Sequence, residues 1–174
     1  MEKPDIYLAA PSPSLEEPFR EMMRVWRQMS DDVVPWILRL DSRSFGKYVR
    51  ALLDMEKGAD LPADRVRCSS FFLMRSADTM LGASNIRHTL NPSLLRNGGH
   101  IGYGVRPDER NKGYATELLR LSVHEAAVLG IKKIRITCDA NNLASEKVIL
   151  KNNGVFDSAV IDDDALTKRY WITL

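Results

Sequence analysis

The chain has 174 residues, 44% of them apolar and 28% charged, with a net charge of only +2. That length suits one domain with a core large enough to stand without metal or disulfide support, and the near-balanced charge removes any whole-protein field that would draw nucleic acid or a membrane surface. Cys68 and Cys138 lie far apart and in no Cys-x-x-Cys or Cys/His cluster, and the first apolar run, Ile6–Ala10, is too short for a signal-peptide core. The expectation is one domain over residues 1–174, without metal, membrane or nucleic-acid partner, in a reducing, cytoplasmic setting.

In chain order, Ile6–Ala10 reads as a strand ended by Pro11 and Pro13, and a helix follows from near Ser14. Phe19, Met22, Met23, Trp26 and Met29 recur at helical spacing, a buried stripe that reads as core or as part of a pocket wall. Asp31–Asp41, with Pro35 and Trp36, reads as a connector; Phe45, Tyr48, Val49, Leu52 and Leu53 then mark a second amphipathic helix over Ser44–Glu56. Gly58–Arg67 is the most loop-like interior segment. From Cys68 the period shortens: Ser69–Arg75 and Thr79–His88, joined by Ser76-Ala77-Asp78, form a predicted hairpin, and Asn91–Gly99 is a loop leading to a strand at His100–Val105.

The second half is regular. It reads as helix Gly113–Leu129 stopped by Gly130, strand Ile131–Cys138, helix Asn142–Lys151, strand Gly154–Val160 and a last strand Arg169–Leu174. An antiparallel meander followed by strand–helix–strand–helix–strand predicts an α/β chain with a mixed sheet and helices on both faces. The last strand is open to pairing within the chain or across a homodimer.

The organising stretch is Val105–Thr116, a strand end, a basic turn and a helix start. A helix N-terminus offers unpartnered N–H groups and positive partial charge, Gly113 lacks a Cβ, and Arg110 and Lys112 add charge, so the turn suits a phosphate. No Gly-x-Gly-x-x-Gly is present, and a P-loop would need glycine where Asp108 stands. Further on, Asn142 is placed to cap the helix that carries Ser145.

Arg110-x-x-Gly113-x-Ala115 resembles the (Gln/Arg)-x-x-Gly-x-(Gly/Ala) signature of the GCN5-related N-acetyltransferases, and Asn142-x-x-Ser145 followed by Gly154 and Phe156 is similar to that family's second segment, with Val155 inserted. The resemblance spans Gly98–Phe156. It implies the family's fold, in which the strands matching Ile101–Val105 and Ile131–Cys138 splay apart around acetyl-coenzyme A. It also implies that Val105 lies against the pantetheine arm and that main-chain N–H groups of Arg110, Asn111, Lys112, Gly113, Tyr114, Ala115 and Thr116 hold the pyrophosphate. Asn142 and Ser145 would contact the coenzyme A arm as well.

The implied reaction is direct acetyl transfer in a ternary complex to the amine of a small molecule, peptide or protein. Many family members carry a tyrosine acid four residues after the position of Ser145, but this chain has Ile149 there, which cannot donate a proton. Tyr103 and Tyr170 are the substitute donors, and a thiolate leaving group of pKa about 8.5 tolerates the loss. His100, ahead of His88, is the candidate side-chain base because imidazole titrates near neutrality, and a water chain is the alternative. The isoleucine also keeps a non-catalytic coenzyme A-binding regulatory or sensor domain in view. A nucleic-acid module is disfavoured because the basic residues lack interleaved aromatics.

Overall fold

A computed structural model describes residues 6–29, 32–59, 61–162 and 164–174. Among the described residues seven strands and five helices appear, in the expected order but for one added helix, as a four-stranded sheet and a three-stranded one. In the first sheet β1 (Tyr7–Ala9), β2 (Cys68–Ser76), β3 (Thr79–Arg87) and β4 (Ile101–Val105) stand side by side, every pair antiparallel. In the second, β5 (Lys133–Asp139) and β6 (Val155–Asp162) flank β7 (Ala165–Thr173), again antiparallel. The last strand therefore pairs within the chain on both its edges, and it begins at Ala165 rather than Arg169.

Alternation along β2 sends successive residues to opposite faces, and the helices cover both. Phe72 and Met74 meet α1 (Glu16–Gln28) and α2 (Phe45–Lys57), where Phe19 lies 5.1 Å from the Phe45 ring and 5.0 Å from Tyr48. Leu73 faces the other way, toward Leu118 of α4 (Tyr114–Val128). The stripe of α1 is core: Phe19, Met22, Met23 and Trp26 are buried, while Met29 falls past the helix end and is exposed. A third cluster joins Ile101, Leu119, Ile134, Ile136 and Tyr170 with Ile149 of α5 (Leu143–Lys151).

Two segments depart from expectation. The expected loop Asn91–Gly99 holds a short helix, α3 (Pro92–Arg96), because Asn91 caps Leu94 N–H at 2.9 Å and Pro92 occupies the first turn without needing a donor. The connector expected from Asp31, a residue outside the described ones, carries a 3-10 turn at Trp36–Arg39 after a cis Val34–Pro35 peptide. Among the described residues no helix is long and apolar enough to cross a membrane, and no three His, Cys, Asp or Glu side chains gather to hold a metal.

Candidate functional site

The two sheets meet at one point and then part. His100 N–H donates to the Arg135 carbonyl at 2.7 Å, and Arg135 N–H donates back to His100 Nδ1 at 2.8 Å. Beyond that junction β4 and β5 form no ladder. The register shows which backbone groups the parting leaves over. Arg87 N–H bonds the His100 carbonyl and Arg106 N–H the Leu81 carbonyl, so the even-numbered residues of β4 pair with β3. Alternation then points the N–H and C=O groups of Ile101, Tyr103 and Val105 toward β5. On β5, the Ala140–Leu166 bond sets Cys138, Ile136 and Ile134 against β7, which turns Thr137 and Asp139 toward β4. Apart from the Val105 carbonyl, which accepts from Arg110 Nε, and the Asp139 carbonyl, which accepts from Asn142 N–H, the two edges face each other without a ladder, an arrangement that accepts an extended amide-bearing chain between them.

A cavity of about 410 Å³ fills the gap, lined by Tyr103, Thr137, Cys138, Asn142 and Ser145 on one side and Val34, Pro35, Trp36 and Arg39 on the other. The connector reaches β4 because two glycines there lack side chains. A Cβ on Gly104 would fall on the Val34 carbonyl, and one on Gly102 would stand 3.4 Å from Pro35 Cβ and 3.1 Å from Asn85 Oδ1. Tyr103 and Val105 alternate with them and point to the other face.

At the end of β4 the chain makes the expected turn. A 3-10 turn at Pro107–Glu109 leads to Asn111 and Gly113, with φ of +63° and +86°, and α4 starts at Tyr114. Arg110 N–H and Thr116 N–H bond the carbonyls of Pro107 and Gly113, so the expected series of donors narrows. The N–H groups of Asn111, Lys112, Gly113, Tyr114 and Ala115 have no acceptor among the described residues. A Cβ on Gly113 would meet nothing within 4 Å, so the glycine serves a backbone conformation that side chains resist and leaves the space before the amides open. Unpartnered amides at a helix start, with the positive end of the helix dipole behind them, suit an anion. The cations around this turn are partly spent: Lys112 pairs with Glu109 at 2.9 Å, Arg106 with Asp108 at 2.8 Å, and Arg110 Nε donates to the Val105 carbonyl at 3.2 Å.

The expected catalytic residues stand as follows. Tyr103 Oη lies 2.9 Å from Ser145 Oγ, and burial raises its phenol to about 12. Asn142 Oδ1 accepts Ser145 N–H at 3.0 Å, which fixes the first turn of α5 over the cavity. His100 is 8% exposed, and burial lowers its imidazole to about 4. Because Nδ1 accepts Arg135 N–H, the neutral ring carries its proton on Nε2 and has no lone pair left to serve as a base. The expected base is placed as a clip between the sheets. His88 Nε2 bonds Ser69 Oγ at 2.8 Å, and Tyr170 donates to Glu146 at 2.6 Å; neither lines the cavity.

Sequence reasoning did not find Arg39, Arg87, Trp36 or Cys138 as cavity residues. They come from three separate elements, with Trp36 and Arg39 at the two ends of one turn, and only the fold brings the three together. Burial raises the Cys138 thiol to about 11, so it is a poor nucleophile, which argues against a covalent acyl-enzyme at this position.

The model of the acetyltransferase (GNAT) domain matches residues 8–154 of this chain. No curated protein matches it. Among solved structures, RimL, the ribosomal L7/L12 alpha-N-protein acetyltransferase in complex with coenzyme A, superposes with a TM-score of 0.70 at 16% identity, covering 97% of this chain and 94% of that one. The microcin C7 self immunity acetyltransferase MccE, in complex with acetyl-CoA and AMP, gives 0.68 at 14% identity over 98% and 93%. A spermidine N-acetyltransferase SpeG chimera from Vibrio cholerae and hSSAT gives 0.66 at 12% over 97% and 95%.

Proposed function

Because this chain belongs to the GNAT acetyltransferase family, we propose that it moves an acetyl group from acetyl-coenzyme A to an amine by direct transfer with both substrates bound. The observation that supports this most is the pairing of two unoccupied backbone features on one path. Five unpartnered amides lie at Asn111–Ala115, and the opened edges of β4 and β5 lie beside them. Acetyl-coenzyme A supplies an activated thioester: the amine nitrogen bonds the carbonyl carbon, the carbon–sulfur bond breaks, and the sulfur leaves as thiolate.

The residues then have separable tasks. Asn111, Lys112, Gly113, Tyr114 and Ala115 hold the pyrophosphate through their main chain, and the edge groups of Tyr103, Val105 and Thr137 hold the amides of the arm. The Val105 N–H, turned toward β5, is positioned to stabilise negative charge on a carbonyl oxygen. Tyr103 donates the proton that the departing sulfur takes, a task suited to a phenol kept protonated far above neutrality. The Val34–Arg39 connector roofs the opposite side of the cavity, where the amine enters.

The test is thermal unfolding with and without acetyl-coenzyme A, followed by thiol release over a panel of small amines and peptides. Stabilisation with release supports the reading. Stabilisation with no release from any amine would replace it with a coenzyme A-binding regulatory domain, and no stabilisation would overturn both.

A further inference from the structure

The splay cavity adjoins a second one of about 360 Å³, lined by Asp64, Arg65, Val66, Cys68 and residues of α3, and the two share Trp36 and Arg87 as a common wall. Together they form a cleft beneath the connector. Its charged lining is lopsided: Arg39, Arg65 and Arg87 against Asp64 alone.

Five arginines elsewhere sit in close ion pairs, whereas Arg67 and Arg169 use neutral oxygens instead. Arg20 meets Glu16, Arg24 meets Glu21, Arg43 meets Asp41, Arg120 meets Glu117 and Arg135 meets Asp157, all within 2.8 Å. The three arginines of the cleft have no ion pair among the described residues. Arg65 lies over the Trp36 ring, with 4.9 Å between its guanidinium carbon and the ring centroid. Arg87 donates Nη1 to the Gly98 and Gly99 carbonyls at 3.0 and 2.9 Å, while its Nε and Nη2 have no acceptor. Burial lowers the Arg87 guanidinium from its usual range, and Arg65 adds to the effect. A partly buried cation with unspent donors is costly unless something anionic completes it.

A second feature points to the same place. Asn85 is fully buried on β3, opposite Gly102, and neither its Oδ1 nor its Nδ2 has a hydrogen-bond partner. Gly102 lines the splay cavity, and a Cβ there would stand 3.1 Å from Asn85 Oδ1. Orphaned polar atoms at such depth are rare and mark a place where a polar ligand group or water belongs.

We propose that the acceptor bound in this cleft carries a carboxylate beside its amine, received by Arg39, Arg65 and Arg87. This rests on the acetyl-transfer reading above and names the substrate class for that site. The same lining repels a polyamine, whose positive charges would meet three cations and one carboxylate.

The experiment compares matched acceptors that differ only in charge: aspartate against asparagine amide, and the corresponding pair at the second position of a short peptide, with spermidine as the cationic control. Each carboxylate acceptor should exceed its amide partner in kcat/KM by about tenfold or more, as expected when charge-assisted hydrogen bonds are lost. In the Arg39→Gln, Arg65→Gln double variant that ratio should fall toward one. Whether the free amino acid or the peptide is turned over faster distinguishes a metabolite from a polypeptide acceptor.

Equal rates for carboxylate and amide partners, or spermidine as the best acceptor, would overturn the assignment. Melting temperature with acetyl-coenzyme A alone reads the coenzyme site without any acceptor. Loss of that shift would bring down the acetyl-transfer reading, whereas a normal shift without carboxylate preference overturns the acceptor class only. A carboxylate product analogue that stabilises the parent and not the double variant supports the proposal independently of turnover.

Discussion

His100 and Arg135 exchange hydrogen bonds across the junction between the ends of β4 and β5, one from each backbone N–H, with the imidazole Nδ1 as one of the acceptors. Everything the splay offers depends on where this junction stops. Burial holds the imidazole near 4, below the ordinary 6.5, so the unfolded chain binds the proton more readily. The stability from this ring is fully present above pH 6.5 and is lost as pH falls through about 4, a contribution on the order of 3 kcal/mol. His100→Ala should cost about 1–3 kcal/mol at pH 7.5 by stranding Arg135 N–H, and should flatten stability between pH 6.5 and 4. Urea midpoints at three pH values check this. Parallel acid loss in parent and variant would remove the histidine from the account.

Gly113 is the position where the coenzyme reading is most exposed to test. Its φ of +86° costs any other residue about 1 kcal/mol, and a Cβ there would meet nothing within 4 Å. Gly113→Glu should fold, with a small drop in melting temperature, and lose the stabilisation by acetyl-coenzyme A that the parent shows. A variant that keeps the full ligand-induced shift would show that the diphosphate sits elsewhere.

The order of most elements and the basic turn after β4 were legible because each is a local pattern. Val105–Thr116 carries its strand, turn and helix start in consecutive residues, and Asn142 caps α5 from within its own segment. The helix at Pro92–Arg96 was missed because Asn91 and Pro92 were read as loop punctuation rather than as a cap and a first turn. His100 looked like a base because its residue type was visible and its bond to Arg135, 35 positions away, was not. The cleft was illegible for the same reason. Arg39, Arg65 and Arg87 belong to a connector, a loop and a strand, and only the fold brings them to two adjoining cavities that share Arg87.

In the acetyl-transfer reading proposed above, Tyr103 takes the donor role that Ile149, fully buried in the core, cannot fill. Its phenol, held at about 12, stays protonated through the working range and can give a proton but not take one. Tyr103→Phe should lower kcat by about tenfold to a hundredfold while leaving stabilisation by acetyl-coenzyme A unchanged. Ser145→Ala, which removes only the hydroxyl that positions the phenol at 2.9 Å, should cost less. If the phenylalanine variant kept the parental kcat, water would be the proton source.

The base is the remaining question, and the cavity lining answers it by what the amine would find there. Between β4 and β5 the walls carry Arg39 and Arg87 but no carboxylate and no imidazole among the described residues; Asp64 lies in the adjoining cavity. Two cations beside an ammonium lower its pKa, so the acceptor sheds its proton to solvent on the way in. An α-amine near pKa 7.9 is then about one quarter neutral at pH 7.5, against about a thousandth of a side-chain amine at 10.4. The log of kcat/KM should therefore rise with unit slope up to the pKa of whichever acceptor is used, and the inflection should move when an α-amine acceptor is exchanged for a side-chain amine. His100→Ala should leave that profile in place. One inflection near neutrality, shared by both amines and abolished by a single substitution in the protein, would instead establish a dedicated base.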